Sequence, residues 1–175
     1  VGSEMCIRDS LVNQLMDYRR AELGVFNLKV RLTPIHDVIE KNFLFYDRLA
    51  QRKRISYNFN SNVEGREILC DPDYMELIVN NLLSNAFKFT PDNGHIGITV
   101  SLRRSDEGRF AAVEVSDTGI GVTEADREHI FERFYQGSNP SFESIRGTGI
   151  GLMLAKDFVE LHGGTLTLEL SLIHI

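Results

Sequence analysis

The sequence predicts an α/β fold: a two-layer sandwich in which a mixed, mostly antiparallel sheet carries helices on one face. Three observations lead to this prediction. In several segments apolar residues recur every three or four positions, which is the period of an amphipathic helix. Shorter segments between them alternate apolar and polar residues, which is the period of a half-buried strand. The 175 residues, 42% of them hydrophobic, suffice for one such core and little more.

Composition restricts the classes of function. The formal net charge of −6 disfavours general nucleic-acid binding. The sequence has no uninterrupted apolar run of about 18 residues, so no membrane-spanning segment is predicted. The two cysteines, Cys6 and Cys70, give neither a disulfide framework nor a CxxC metal motif. We therefore expect a buried thiol at Cys70 and a reducing compartment.

The two ends of the sequence differ from the rest. Residues 1–10 show no apolar period, and residues 171–175 end abruptly after a strand-like run. We interpret both segments as non-native and leave them out of the fold prediction. On this interpretation, the remaining chain begins inside a helix and stops before its last strand.

The first half of the chain alternates predicted helices and strands. In order, these are a helix over 11–23 ended by Gly24, a strand over 26–32 broken by Thr33-Pro34, a helix over 35–52, and extended segments over 55–59 and 66–70. The polar stretch between the last two segments is a predicted turn.

The helix predicted over 73–90 is the most informative element. Asp73 and Glu76 place negative charge on its first turn, where the helix dipole favours it. Its apolar face is predicted to consist of Met75, Ile78, Val79, Leu82, Ala86 and Phe89.

Asn81, Asn85 and Lys88 lie within about 60° of one another on a different face of this helix. Asn is unfavourable inside a helix because its amide competes for backbone hydrogen bonds. Two such residues one turn apart, followed by a Lys, indicate a face that binds something. A mildly polar solvent-exposed side is the alternative interpretation.

The second half of the chain begins with a turn over Pro91–Gly94. A hairpin of strands over 96–102 and 110–115 follows, and then a short charged helix over 123–134 with Thr123 as its N-cap. A polar segment over 135–146 is expected to be mobile. The second half ends with a helix over 152–161, closed by Gly163-Gly164, and a strand over 165–170, after which a further strand of the fold is expected.

Three features of this sequence favour nucleotide binding. The first is the face with Asn81, Asn85 and Lys88, because amide oxygens suit Mg²⁺ and a Lys meets phosphate as a point charge. The second is Asp117 at a strand end, followed by Gly119-Ile120-Gly121. Glycine permits close backbone approach, and a buried carboxylate accepts a hydrogen bond from an amine such as that of adenine. An ordinary Asp-Thr-Gly turn is the alternative.

A third feature is the glycine-rich segment Gly147–Gly151, which opens a helix. Free backbone N–H groups at a helix start attract phosphate. The segment matches neither the P-loop nor the Rossmann fingerprint. Taken alone, it is equally compatible with a packing role for the glycines.

Together these motifs resemble the catalytic, ATP-binding domain of sensor histidine kinases in the GHKL superfamily. The segments that match are Asn81–Thr90 (the N box), Asp117–Gly121 (G1), Phe131–Tyr135 (F) and Gly147–Leu152 (G2). The resemblance implies the Bergerat-type α/β sandwich over residues 25–170, with its last strand missing. It also implies that residues 11–24 are the end of a dimerisation hairpin helix. The finer similarity is to hybrid two-component sensors.

The resemblance implies roles for individual residues, with ATP and Mg²⁺ as cofactors. Asn85 would be the metal ligand, Asn81 would support the phosphates or the metal, Lys88 would contact phosphate, and Asp117 would accept from the adenine amine. The other implied nucleotide-binding positions are Phe89, Gly119, Gly121, Gly147, Thr148, Gly149, Gly151 and Leu152, while Arg133 or Arg146 would reach the γ-phosphate. Residues 123–146 would form a mobile ATP lid.

One position distinguishes branches of this superfamily. Members that hydrolyse ATP, such as gyrase, place a Glu as general base four residues before the metal-binding Asn. Here that position is Asn81, which cannot accept a proton. The resemblance therefore implies transfer of phosphate to a histidine on a hairpin outside this segment, and we expect no autophosphorylation by this chain alone.

The implied partners are the hairpin of a homodimeric kinase and a response-regulator receiver domain, with neither nucleic acid nor direct membrane contact. The implied location is the cytoplasmic part of a membrane-anchored bacterial sensor. Two alternatives stay open from the sequence. One is a serine kinase of the anti-sigma type, which shares the fold, and the other is a pseudokinase that serves as an interaction module.

Overall fold

Two sheets and two long helices make up most of the computed structural model, which describes residues 27–106, 108–137 and 148–169. The elements are β1 (Arg31–Pro34), α1 (Ile35–Lys53), β2 (Ser56–Ser61), β3 (Glu67–Cys70), α2 (Pro72–Phe89), β4 (His95–Ser105), β5 (Gly108–Asp117), α3 (Glu124–Arg127) and α4 (Gly151–Leu161). The chain divides into a unit spanning Lys29–Gly121, called the sheet unit below, and a second unit that includes Val122–Glu169.

The larger sheet has the strand order β2-β4-β5. β2 runs parallel to β4, with Ser56 opposite His95, and β4 runs antiparallel to β5, with Ile96 opposite Asp117. The smaller sheet pairs β1 with β3 antiparallel, with Leu32 opposite Leu69. The prediction of a mixed, mostly antiparallel arrangement is confirmed, although the strands are divided between two sheets.

Both long helices of the sheet unit pack against one face of β4. Ile96, Ile98 and Val100 occupy alternate positions of this strand and are buried. They share one hydrophobic core with side chains from α1 and α2, namely Ile35, Ile39, Ala50, Val79, Leu83, Ala86 and Phe87. The opposite face of β4 is polar, as an alternating strand requires. The predicted placement of helices on one face is therefore confirmed within this unit.

α2 starts one residue earlier than predicted. Asp71, not Asp73, lies at the helix boundary, and its Oδ1 accepts from the backbone N–H groups of Asp73 (3.0 Å) and Tyr74 (3.4 Å). Its Oδ2 accepts from the backbone N–H of Lys29 at 2.8 Å. Asp71 thus caps the helix and also fixes the chain just before β1. Pro72 suits the first helical position because its missing N–H would have no helical partner there.

Three predicted elements differ from the structure. β1 occupies Arg31–Pro34 rather than 26–32, because its register is set by pairing with β3, which the local alternation does not reveal. α3 ends at Arg127 rather than near residue 134, where the φ of Phe134 is 60°, outside the helical range. Thr165–Glu169 has no strand partner among the described residues and is not a strand.

Other predictions agree with the structure or lie outside it. The helix over 35–52, the hairpin and the turn at Pro91–Gly94 are confirmed, as is the helix before Gly163, whose φ of 74° ends α4. Cys70 is buried, and this burial raises the pKa of its thiol. The predictions for residues 11–24, for 138–147 and for the two termini lie outside the described residues.

The cap of α2 yields a test of stability. Asp71→Ala removes acceptors for three backbone N–H groups, and we expect it to lower the free energy of unfolding by about 2 kcal/mol. Asp73→Ala is the matched control, since that carboxylate is exposed and acts only through the helix dipole, with an expected loss below about 1 kcal/mol. Urea denaturation of the parent and both variants measures this. Equal losses for the two variants would show that Asp71 is not the cap.

Candidate functional site

The buried side of α2 determines where its polar face lies. Val79, Leu83 and Phe87 are in the core, whereas Leu82 and Phe89, which were predicted to be buried, are only half-buried. With 3.6 residues per turn, the centre of the side formed by Val79, Leu83 and Phe87 lies roughly 180° from the centre of the face with Asn81, Asn85 and Lys88. The core is thus displaced to one side of the predicted apolar stripe, and the polar face points away from the sheet.

The three polar side chains of this face differ in exposure. Asn81 is only 7% exposed, and Asn85 and Lys88 are half-buried. Within the described residues, neither amide has a hydrogen-bond partner. Burial lowers the pKa of Lys88, whose ammonium lies 4.7 Å from the centre of the Phe89 ring. This face therefore presents two amides and a partly desolvated cation, groups that together suit a phosphate with its metal ion.

Asp117 ends β5, as predicted, but its carboxylate is exposed rather than buried. Its strand partner is the buried Ile96, so its side chain lies on the helix-bearing face of the sheet. The carboxylate is exposed because it stands at the end of that face, beyond the core. Its Oδ1 accepts from the backbone N–H of Gly119 at 2.8 Å, which leaves Oδ2 as an additional acceptor.

The G1 segment contacts the end of α2 closely. The carbonyl oxygen of Phe89 accepts from the backbone N–H of Ile120 at 3.3 Å. A Cβ on Gly119 would lie 2.8 Å from that oxygen and 2.6 Å from Asp117 Oδ1, so only glycine fits without displacement. Thr118 also accepts from the His95 N–H through its Oγ1, at 2.8 Å. The structure thus brings Asp117 and the end of the N box together within the sheet unit.

The F and G2 motifs meet in the second unit. The backbone N–H of Phe134 donates to the carbonyl of Gly149 at 3.1 Å. Gly149 has a φ of 67°, and a Cβ there would lie 2.6 Å from the carbonyl carbon of Phe134. Thr148 Oγ1 accepts from the N–H of Ile150 at 3.4 Å, just before Gly151 and Leu152 begin α4. A packing role is thus visible for Gly149.

A buried carboxylate holds the F motif in the second unit. Asp126 is 1% exposed, and its Oδ1 accepts from the hydroxyl of Tyr135 at 2.6 Å. Its Oδ2 accepts from the hydroxyl of Thr123 at 2.7 Å, while the Thr123 side chain caps α3 as predicted. The sequence analysis did not find the bond between Asp126 and Tyr135, because that contact depends on the turn after α3.

Four candidate residues remain, and the structure describes two of them, Arg133 and Gly121. Arg133 is exposed, and its charge partly offsets the rise in the pKa of Asp157 that burial causes. Arg146 and Gly147 lie outside the described residues. Gly121 has a φ of 69° with open space around it, so its glycine serves backbone conformation rather than close approach.

Comparison with known proteins agrees with these motifs. The family model described as histidine kinase-, DNA gyrase B- and HSP90-like ATPase matches residues 70–172. Since this match covers more than half of the sequence, the chain belongs to that ATPase family. The family resemblance predicted from the four motifs is thereby confirmed.

Similar proteins include several sensor kinases. The sensor histidine kinase TmoS of Ectopseudomonas mendocina is 38% identical over 162 residues, covering 90% of this chain and 16% of TmoS. Hybrid signal transduction histidine kinase D of Dictyostelium discoideum is 36% identical over 160 residues, covering 91% of this chain and 10% of that protein. The chain thus spans a small fraction of the length of these relatives.

Solved structures confirm the fold class. Full-length ShkA in complex with AMPPNP superposes with a TM-score of 0.74 at 28% identity, over 88% of this chain and 31% of that chain. The catalytic domain of histidine kinase ThkA gives a TM-score of 0.63 at 22% identity, over 75% of this chain and 80% of that one, and shows the fold alone. Among the described helices, none is both long and apolar enough to cross a bilayer.

The contact at Gly119 yields a second test. Gly119→Ala forces a methyl group against the Phe89 carbonyl, and we expect the free energy of unfolding to fall by about 1–3 kcal/mol. Gly97→Ala is the control, because its nearest neighbour is the Ser116 hydroxyl at 3.0 Å, which rotation of that side chain relieves. We expect this change to be nearly neutral. Thermal unfolding of both variants measures the difference, and a neutral Gly119→Ala would refute the close contact.

Proposed function

We propose that this chain is the ATP-binding catalytic domain of a two-component sensor histidine kinase, which presents the γ-phosphate of ATP to a histidine on a separate hairpin domain. The observation that carries the proposal is the arrangement in the sheet unit. There Asn81, Asn85 and Lys88 lie on α2, and the last residue of the same helix, Phe89, contacts the G1 segment through its carbonyl. The family match and the kinase relatives support the same proposal.

Asp117 is the group proposed to select the base. Its Oδ1 is engaged by the Gly119 N–H, and Oδ2 provides an acceptor for the exocyclic amine of adenine. Guanine carries a carbonyl oxygen at the corresponding position, which meets the carboxylate with repulsion between lone pairs. The proposal therefore includes a preference for ATP over GTP.

Asn85 is the group proposed to hold Mg²⁺. No cluster of three His, Cys, Asp or Glu side chains that could bind a metal occurs among the described residues. A magnesium ion held by one amide oxygen and by phosphate oxygens needs no such cluster, because Mg²⁺ commonly keeps several waters and few protein ligands. When bound, the ion would neutralise charge on the phosphates.

Lys88 and Asn81 are proposed to act on the phosphates. Burial lowers the pKa of Lys88, and a phosphate beside it would favour the charged ammonium. Asn81 has no atom that accepts a proton from water, so this position supplies no general base for hydrolysis. The proposal is therefore phosphate transfer rather than ATP hydrolysis.

The remaining roles follow from the family resemblance. Gly147, Thr148, Gly149, Gly151 and Leu152 are proposed to shape the phosphate-binding loop at the start of α4, since a helix N-terminus favours anions. Arg133 or Arg146 is proposed to contact the γ-phosphate. The described members of both sets belong to the second unit.

The proposed partners are a phosphoacceptor hairpin of the same kinase, within a homodimer, and a response-regulator receiver domain. The relatives support this, because one is named as a hybrid histidine kinase and another as a sensor histidine kinase. The proposed location is the cytoplasmic part of a membrane-anchored bacterial sensor. Calorimetric titration of the chain with ATP, with and without Mg²⁺, tests the function, and the absence of any binding would refute it.

The metal assignment gives a third prediction. Asn85→Ala removes the proposed ligand, and we expect Mg-ATP affinity to fall by about 1.5–3 kcal/mol, while binding of ATP without Mg²⁺ changes little. Asn58→Ala is the matched control, since Asn58 is exposed on β2, a strand that carries none of the proposed ligands. Isothermal titration measures both variants. An Asn85→Ala protein that binds Mg-ATP as tightly as the parent would remove Asn85 from the metal site.

The base selectivity gives a fourth prediction. The parent chain should bind ATP more tightly than GTP by about 1–3 kcal/mol, the cost of leaving a hydrogen bond unmade. Asp117→Asn should reduce this preference, because an amide can rotate to donate to the guanine carbonyl. Competition against a fluorescent ATP analogue measures the ratio. Equal affinity of the parent for ATP and GTP would contradict the assignment of Asp117.

A further inference from the structure

Lys53, the last residue of α1, bonds to the end of α2. Its ammonium donates to the carbonyl of Phe87 at 2.7 Å and to the carbonyl of Thr90 at 2.6 Å. Both carbonyls belong to the last turn of α2 or to its cap, where no further helical N–H is available. A cation at this end is also favoured by the helix dipole.

The same helix end holds the G1 segment. The carbonyl of Phe89, a residue between Phe87 and Thr90 in sequence, accepts from the N–H of Ile120 at 3.3 Å. Gly119 packs against this carbonyl so closely that no Cβ fits. A shift of the last turn of α2 therefore moves the surface against which the G1 segment is placed. Asp117 is the first residue of this segment, and its carboxylate accepts from the Gly119 N–H within it.

We propose that Lys53 is a positioning residue for the nucleotide site: by holding the last turn of α2, it fixes the G1 segment and the direction of the Asp117 carboxylate. The inference rests on the proposed function. Lys53 also fixes this region through its backbone, since its carbonyl accepts from the N–H of Asn93 at 3.0 Å in the turn after α2. The side chain is half-buried, and the backbone carbonyls are its only carbonyl or carboxylate partners among the described residues.

The positive charge of Lys53 is needed to hold the last turn of α2, because its acceptors are backbone carbonyls near a helix C-terminus. Without the ammonium, the carbonyls of Phe87 and Thr90 lose their donor, and the last turn is expected to fray. α1 and the core would keep their apolar contacts, since Ile35, Ile39 and Ala50 are unaffected. The expected defect is thus local to the end of α2 and the G1 segment rather than global.

The test compares Lys53→Met with Lys41→Met. Lys41 also lies on α1 and also bonds to α2, but its ammonium meets the exposed Glu76 carboxylate at 2.6 Å, near the other end of that helix. We expect Lys53→Met to weaken Mg-ATP binding about tenfold, which is typical of residues that orient a ligand-binding group. The affinity of Lys41→Met should equal that of the parent. Lys53→Arg keeps the charge and the donors and should restore most of the affinity.

Titrations are made at low temperature, where circular dichroism shows each variant to be folded, so that a loss of stability alone does not change the Kd. If Lys53→Met does not fold, Lys53→Gln replaces it. Amide hydrogen exchange gives a second readout: exchange at Gly119 and Ile120 should become about tenfold faster in Lys53→Met, while Val113 in β5 is unchanged.

The outcomes separate this inference from the proposed function. If the parent binds Mg-ATP and Lys53→Met binds it equally well, the positioning role is overturned. If the parent binds no nucleotide, the proposed function fails, and hydrogen exchange alone tests whether Lys53 positions the G1 segment. Unchanged exchange at Gly119 and Ile120 then overturns the inference, and faster exchange supports it for the geometry of the G1 segment.

Discussion

The end of α2 is the constraint on which the arrangement of the candidate site depends. A helix that ends inside a protein leaves carbonyl groups without helical donors, and buried carbonyls need a partner. Here the donors come from two distant segments, the Lys53 ammonium of α1 and the Ile120 N–H after β5. Satisfying the backbone of one helix therefore ties together three parts of the chain. The register of β5 places Asp117, and its carboxylate is bonded to Gly119, which lies in the segment that contacts this helix end.

The core of the sheet unit determines the direction of the candidate binding face in the same way. Burial of Val79, Leu83 and Phe87 against β4 fixes the rotation of α2 about its axis. Because a helix is rigid, the opposite side with Asn81, Asn85 and Lys88 is fixed as well. Half-buried side chains such as Leu82 lie between the two sides. Packing energy thus sets the geometry of groups that contribute little to stability, and this is how a core can preorganise polar ligands without direct contact.

Local sequence patterns predicted most of the helices and strands, and the features that were predicted wrongly depend on long-range contacts. The hairpin of β4 and β5 was predictable because alternation and its turn are local in sequence. The bounds of β1 were not predictable, since they depend on its pairing with β3, in which Arg31 lies opposite Cys70. The N-cap at Asp71 was not predicted because the acidic Asp73 nearby suggested a later helix start. For the site, the sequence predicted the residues of α2 and the position of Asp117 but not its exposure. The contact of Lys53 leaves no pattern in the sequence, because it joins segments 34 residues apart.

Packing alone explains one glycine in each of the G1 and G2 motifs. Gly119 and Gly149 each lie where a Cβ would collide with backbone atoms, Phe89 in one case and Phe134 in the other. In the second unit this contact accompanies the bond between Phe134 and Gly149, so the F and G2 motifs fix each other whether or not a phosphate is present. A glycine-rich motif alone is therefore weak evidence for a nucleotide. The proposed function rests instead on the amides and the lysine of α2, which lie on the side opposite the sheet core.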